Sequence, residues 1–429
     1  MKILILYNES QTYTQTVFEH LDAFRKFSQN KFYYLHYENL AKEKESLEYF
    51  QIIFLHYSVR LPADQISEAM GETLSQYRGA KVLFIQDEYD KVARTKYWIK
   101  KIKFDIVFSV VPKISISIIY PKEEFSNTKF VNNLTGYVPE NLNSFSKWVK
   151  VPPSSRSIEI GYRGRHLPIK YGDLAREKVR IGVSVKQYCK LNNIVHDIEW
   201  DEQSRIYGDN WYKFIANCKS MLGSESGSNV FDWDGNLDQA IKKYRKLNSS
   251  MSEDEIYENF IQTLERPGLM NQISPRIFEM AAAGTIMILY EGTYSNVIEP
   301  NRHFLSLKKD HSNLPEIIAK LRDGDFIDEM ASRVKTDIIE TGKYSYQQFV
   351  SMIDLELSEL STKDSLSPIT SSVTLSGNFS KDPVRVPALF HGSADSWIMG
   401  NLSFALKIWP YIPLLARTPI KKIIRKMYF

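Results

Sequence analysis

Apolar positions in the first third of the chain come in short unbroken runs, separated by longer stretches with helical spacing. Met1–Tyr7, Lys31–His36, Gln51–His56, Lys81–Gln86 and Asp105–Val110 read as strands. Gln15–Phe27, Ala63–Tyr77 and Lys91–Ile102 read as helices. Strands alternating with helices of this length predict a parallel sheet covered on both faces. In such a sheet, ligands bind at the carboxyl ends of the strands.

Tyr137–Pro153, with its prolines and asparagines, reads as an interdomain linker, and a second alternation follows it. Ser157–Tyr162, Ile194–Ile198, Ser220–Leu222 and Thr285–Tyr290 are the expected strands. Leu174–Asn192, Trp211–Asn217, Pro275–Ala283, Leu314–Arg322 and Phe326–Ile339 are the expected helices, and Gly235–Phe260 is a largely polar helical insertion. The pattern predicts an α/β protein of two Rossmann-like, doubly wound domains facing a cleft. Residues 1–150 form the first, taken to bring the acceptor, and 151–360 the second, taken to bring the donor. A Ser/Thr-rich, mobile linker is expected over 361–396 and a basic amphipathic tail over 397–429.

Composition narrows the function classes. Lys+Arg 55 against Asp+Glu 51 gives +4, too balanced for a chain devoted to coating nucleic acid. Two cysteines, Cys189 and Cys218, make no disulfide framework and have no metal-ligand spacing. The apolar run at the amino terminus is too short for a signal peptide, and no stretch reaches the ~18–20 apolar residues of a membrane span. A cytoplasmic protein is expected, or one peripheral on the inner face of the membrane.

The most informative segment is Asn271 to Thr285, which contains Ser274-Pro275-Arg276-Ile277-Phe278-Glu279-Met280-Ala281-Ala282-Ala283-Gly284. Ser274 suits an N-cap, Pro275 the first helical position, and Gly284 the left-handed position past the helix end. Arg276 and Glu279 share a face near the amino end, where free N–H groups suit a phosphate. Arg276 adds a bidentate donor for the same anion, and Glu279 can accept from two ribose hydroxyls. A plain Arg–Glu surface pair fits the spacing equally well.

These residues, with Tyr290-Glu291-Gly292 and Pro300-Asn301-Arg302-His303-Phe304, resemble the donor-binding half of GT-B glycosyltransferases, in the bacterial family 1/4-like group. Gly161-Tyr162-Arg163-Gly164-Arg165, Gly223-Ser224-Glu225-Ser226-Gly227-Ser228 and Gln86-Asp87-Glu88-Tyr89 resemble the same group. The resemblance implies transfer of a sugar from a nucleotide-diphosphate sugar to a hydroxyl on a glycan or lipid-linked acceptor. It implies a ribose-binding carboxylate at Glu279, and no metal, because cationic side chains and a helix terminus take that role. Many retaining members carry a Glu eight residues before Glu279, where this chain has Asn271. That leaves the stereochemical outcome open, and keeps alive a non-catalytic module that only binds nucleotide sugars.

The candidate donor residues are therefore Arg163, Arg165, Glu225, Ser226, Asn271, Ser274, Arg276 and Glu279, with Lys170 and Lys178 as weaker additions. Arg163 and Arg165 can neutralise a diphosphate leaving group. The loop holding Glu225 and Ser226 either presents acceptors to a sugar or is a flexible turn. In the first domain His56, Asp87 and Glu88 sit at strand ends, and a carboxylate there can take the acceptor's proton. Adjacent carboxylates on extended backbone point to opposite sides, so one of Asp87 and Glu88 is expected to face the cleft. Asp87 also suits an N-cap, and His56 a satisfied core position.

The tail Trp397–Phe429 has six basic residues and no acid, with Trp397, Trp409, Tyr411 and Tyr428 suited to a headgroup region. Three prolines interrupt it, so it is expected to lie on an anionic membrane surface rather than cross it. Packing as a last helix on the domain is the alternative.

Overall fold

The computed structural model describes residues 1–138, 147–361, 375 and 377–386. The chain divides into two compact units, Met1–Arg385 and Val386–Phe429, and nearly all of the second lies outside the described residues. The expected tail Trp397–Phe429 and the middle of the expected interdomain linker lie outside them too.

In chain order the first sheet region holds β1 (Lys2–Tyr7), α1 (Gln15–Phe27), β2 (Lys31–His36), β3 (Ile52–Leu55), α2 (Glu68–Gln76), β4 (Ala80–Ile85), α3 (Val92–Ile102), β5 (Ile106–Ser109), α4 (Ile116–Ile119) and β6 (Lys129–Asn132). The second holds β7 (Ile158–Arg163), α5 (Asp173–Leu191), β8 (His196–Glu199), α6 (Asp209–Asn217), β9 (Cys218–Gly223), β10 (Ser226–Gly227), α7 (Leu237–Leu247), α8 (Glu253–Ile256), β11 (Asn271–Gln272), α9 (Arg276–Ala283), β12 (Ile286–Tyr290), β13 (Leu305–Leu307), α10 (Leu314–Arg322) and α11 (Gly324–Val334). A last helix, α12 (Tyr346–Ser361), follows.

The first sheet has six parallel strands in the order β2-β1-β3-β4-β5-β6, and the second has five in the order β13-β12-β9-β7-β8. Central strands of such sheets are covered on both faces, so they are apolar at nearly every position. β3 and β4 are buried throughout, and both read as apolar runs, broken only by Lys81 in β4, whose Nζ donates to Tyr77 O at 3.1 Å. The strand order reverses between β1 and β3 in one sheet and between β7 and β9 in the other. Those two switch points are where doubly wound sheets take ligands.

Six elements escaped the sequence reading: α4, β6, β10, β11, β13 and α12. All but α12 are four residues or fewer, too short for a periodic signal. α12 packs back onto the first sheet: Phe349, Val350 and Ile353 share a core with Leu21 and Phe24 of α1. The described part of the Ser/Thr-rich segment is not loose. Ser380 and Tyr34 exchange backbone hydrogen bonds of 2.8 and 3.0 Å on the open edge of β2. Val384 N donates to the Tyr7 hydroxyl at 3.0 Å. This strap covers an edge that would otherwise present unpaired backbone groups. Among the described residues, no helix is long and apolar enough to cross a membrane.

The two sheets are joined by the segment between β10 and α7. Lys91, before α3, is left-handed and supplies no side-chain cap. Instead Val92 N and Ala93 N donate to the carbonyls of Asp232 and Trp233 at 3.0 and 2.8 Å. Asp232 N returns a bond to Tyr89 O at 2.8 Å. Beside them Asp90 receives Lys170 Nζ at 3.0 Å and the Tyr171 hydroxyl at 3.1 Å. The Lys170 and Asp90 side chains are only 12% and 13% exposed, so loss of Asp90 leaves a nearly buried ammonium with only the exposed Asp238, at 3.1 Å. Asp90→Ala is expected to lower the unfolding free energy by about 3 kcal/mol, read from urea denaturation. A loss near that of an exposed ion pair, under ~1 kcal/mol, would show that the joint does not rest on it.

Candidate functional site

The switch point of the second sheet lies between the loops that leave β7 and β9, and both loops were singled out by sequence. The start of α9 joins them there. Arg276 Nη1 donates to Arg163 O at 2.8 Å, tying α9 to the loop after β7. Lys178 of α5 donates from Nζ to the carbonyls of Ser224, at 3.2 Å, and Glu225, tying α5 to the loop after β9. β10 and β11 pair antiparallel, Ser226 with Gln272 and Gly227 with Asn271, which sets the approach to α9. Gly227 has φ +105°, and a Cβ there would meet Met270 O at 1.9 Å, so the ladder needs glycine.

α9 starts at Arg276, with Pro275 as its N-cap residue and no side-chain cap bond. Ser274 therefore does not close the helix as its position suggested. Gly284 does take the left-handed position at the far end, with φ 62°.

Cations at this site divide into two kinds. Arg163 is fully engaged: it pairs with Asp197 at 2.8 and 2.9 Å and also donates to the carbonyls of Ser204, Tyr162 and Asp197. It braces β7 against β8, with four of its five N–H groups already bonded and its charge paired with Asp197. Lys170 belongs to the joint between the sheets. Arg165, Lys178 and Arg276 differ, since none makes an ion pair among the described residues. They lie close enough that burial first, then the charges of Arg276 and Arg165, pull the Lys178 ammonium down to about 7, against an opposing pull from Glu177.

The carboxylates divide the same way. Glu225 is only 4% exposed. Its Oε1 accepts from Thr293 N, Thr293 Oγ1 and Tyr294 N at 3.0, 3.2 and 2.7 Å, and its Oε2 from Asn271 Nδ2 at 2.6 Å. Glu225 thus anchors the turn after β12, and Asn271 is spent on holding it. Arg276 and Glu279 do not pair with each other. The Arg276 guanidinium lies over the Trp211 ring at 4.9 Å, and Trp211 Nε1 donates to Glu279 Oε2 at 2.8 Å. Burial holds Glu279 above the usual carboxylate range, with the Trp211 bond and Arg276 working against it.

In the first domain the structure turns two of the three candidates inward. His56 is fully buried: Ser58 N donates to its Nδ1 at 3.1 Å, and its Nε2 meets His20 Nδ1 at 3.0 Å. Burial and His20 hold its pKa well below the ordinary value. It is the satisfied core histidine. Glu88 is also fully buried, accepting from Ser109 Oγ, the Tyr120 hydroxyl and Val110 N at 2.7, 2.8 and 3.1 Å. It fastens the chain after β5. Asp87 faces the other way at φ 57°, with its side chain 48% exposed and bonded to the Tyr89 hydroxyl at 2.8 Å. Among the described residues, no group of three or more His, Cys, Asp or Glu is placed to hold a metal ion.

Two residues near Glu279 were missed from sequence. Glu19 on α1 comes close enough that Glu279 acts on it. Burial first and Glu279 after it raise Glu19 to about 7, against the bond Gln15 Nε2 makes to it at 2.6 Å. The Gln15–Glu19 spacing of one helical turn was visible, but nothing local said that it faces the second domain. Trp211 was read only as part of a helix.

No family profile matches the sequence, and no curated protein matches it either. Solved structures do match. An α-glucosyltransferase in complex with UDP-glucose and DNA containing an abasic site has TM-score 0.50 and 10% identity, over 83% of this chain and 98% of that one. HepE of Anabaena in complex with UDP has TM-score 0.46 and 11% identity, over 84% and 100%. TarM has TM-score 0.39 and 15% identity, over 72% of this chain and 54% of its own, so the chain spans about half of TarM's length. The first likeness, with the two parallel sheets, shows the GT-B fold that the motifs led us to expect.

Lys178 gives a direct test of the cation cluster. Its folded pKa, about 7, lies below that of the unfolded chain, so between those values the unfolded state binds more protons. Stability therefore rises as pH climbs above about 7. Lys178→Met is expected to remove that part of the rise, read as urea midpoints at pH 7 and 9. An unchanged difference between the two midpoints would place Lys178 in water.

Proposed function

We propose that the chain is a glycosyltransferase, moving a sugar from a nucleoside-diphosphate sugar to a hydroxyl acceptor in the assembly of a cell-surface glycan or polysaccharide. The observation that carries this reading is the set of three cations that form no ion pair among the described residues, Arg165, Lys178 and Arg276, at the switch point of the second sheet. A diphosphate supplies the missing negative charge. As the bond to the anomeric carbon breaks, charge grows on the leaving diphosphate, and fixed cations stabilise it more than they stabilise the bound donor. Glu279 keeps one oxygen for the ribose hydroxyls, its other being held by Trp211. Ser226 and Ser274 flank the donor.

In this reading Asp87 is the candidate for accepting the acceptor's proton, since His56 and Glu88 are closed off by their own partners. The chain's own cations stand where a divalent ion would otherwise neutralise the diphosphate, so turnover is expected to persist in excess chelator. A second reading, a module that binds nucleotide sugars without turnover, draws on Asn271, which is uncharged and committed to Glu225. Thermal stabilisation by a nucleotide sugar without product on any acceptor would favour it.

The test is release of nucleoside diphosphate from a panel of nucleotide sugars with pooled hydroxyl acceptors. Arg276→Ala is expected to lower kcat by about 10²–10³, the usual effect of removing one donor to a developing charge. Glu279→Ala is expected to raise the donor KM. Release that ignores both substitutions would sink the site.

The proposal includes a peripheral membrane contact through Trp397–Phe429, which would bring a lipid-linked acceptor within reach. The strap up to Arg385 is packed on the first sheet, so the fair comparison is the full chain against one ending at Val386. Flotation with anionic liposomes is expected for the full chain alone, and equal recovery of both would rule the contact out.

A further inference from the structure

Glu279 and Arg276 leave α9 on one face, three residues apart, yet each reaches α6 instead of the other. Both reach the same side chain there. Trp211 Nε1 donates to Glu279 Oε2 at 2.8 Å, and the same indole carries the Arg276 guanidinium over its ring at 4.9 Å. Arg276 is fixed at its other end by the Arg163 carbonyl, at 2.8 Å. Trp211 is itself partly buried and packs on Phe214, with ring centroids 5.9 Å apart, so the indole has a seat independent of the two charges.

We propose that Trp211 is a positioning residue of the donor site: one indole orients both the carboxylate that takes the ribose and the guanidinium that takes the diphosphate. This rests on the functional reading given above. Without the indole, an arginine and a glutamate three residues apart on a half-buried helix start have an obvious alternative, which is each other. Paired in that way they would present a neutral surface to a nucleotide. The indole blocks that collapse by giving each a better partner: a charge-assisted N–H bond for the carboxylate, and a π face for the guanidinium. One carboxylate oxygen and part of the guanidinium then stay open to a ligand.

The arrangement also makes donor binding depend on pH in a way that runs through Trp211. Glu279 faces Arg276 on its own helix, Trp211 and Tyr212 on α6, and Glu19 on α1, with Arg385 of the strap near Glu19 and Tyr212. Burial raises its pKa, and the Trp211 bond lowers it. Ribose binding needs the ionised form, so affinity falls as pH drops through that pKa. Removing the N–H moves the fall to higher pH.

The experiment measures binding of UDP, GDP, ADP and dTDP by calorimetry at pH 6 and pH 8.5. It uses the full-length wild type, Trp211→Phe, Glu279→Gln and the double variant. Trp211→Phe keeps an aromatic face and removes only the N–H, and thermal melting checks that it folds. Affinity for the diphosphate that binds wild type best is expected to fall by about tenfold at pH 6, in line with a charged hydrogen bond, and by less at pH 8.5. In the Glu279→Gln background the same change is expected to cost little, because neighbours acting through one another do not add. Equal loss in the wild-type and Glu279→Gln backgrounds, or a loss that does not change with pH, would overturn the proposal and leave Trp211 a packing residue. If wild type binds none of the four, the donor-site reading and this proposal fall together. If wild type binds and Trp211→Phe matches it at both pH values, the proposal alone falls.

Discussion

The contact on which the site depends is a backbone one. Val92 N and Ala93 N of α3 give their hydrogen bonds to the carbonyls of Asp232 and Trp233, and Asp232 N gives one back to Tyr89. A helix start has free N–H groups that must find partners, and here they come from the other sheet. Both partners are main chain, so the fit sets position closely without depending on long side chains. Asp90 then adds a nearly buried charge pair, and Gln272 Nε2 reaches Val110 O at 2.6 Å beside β11. With these in place α1 stands opposite α9, which is why Glu19 and Glu279 act on one another.

Within the site, the useful distinction is between polar groups whose capacity is spent and those whose capacity is left over. Arg163, Glu225, Glu88 and His56 are spent, each satisfied by several partners and each holding a strand end or turn in place. Arg165, Lys178 and Arg276 form no ion pair among the described residues, and burial, then the two arginines, push the Lys178 ammonium down. Burying a charge without its counterion is costly. Lys178 carries that cost at the switch point, where the half-buried Arg276 and the exposed Arg165 add their charge, and a bound anion would relieve it.

The sequence made the parallel strands legible because strands buried on both faces are apolar at nearly every position. It made α9 legible through Pro275 and Gly284, which have strong positional meanings. It drew attention to loops that meet at the second switch point, where Arg165, Glu225 and Arg276 come together around Lys178. It could not sort them. Arg163 and Arg165 differ by two residues on one turn, and only the presence of Asp197 across the sheet makes the first structural. The same holds for Asp87 and Glu88, whose opposite directions follow from the backbone while the inward one depends on Ser109 and Tyr120. Glu19, Trp211 and the return of α12 rest on contacts between residues far apart in the chain, which periodicity does not record. The strap at Ser380 is invisible for a similar reason: an edge pairing through the main chain leaves no side-chain pattern.

α9 shows how the fold turns local chemistry into a directed site. Its carboxyl end is closed several times over. Gly284 takes the left-handed turn, Thr285 N returns to Met280 O at 3.0 Å, and the buried Arg156 donates to Ala283 O at 2.6 Å while also holding Cys218 O and Thr285 Oγ1. Its amino end has no side-chain cap. A helix fixed at one end and open at the other keeps its partial positive charge facing outward, where the field falls off within about one turn. Arg276 and Glu279 stand within that first turn. Arg156 therefore supports the site without touching it: by closing the far end it fixes the axis along which the open end points, and a helix only eight residues long gives that axis little room to drift.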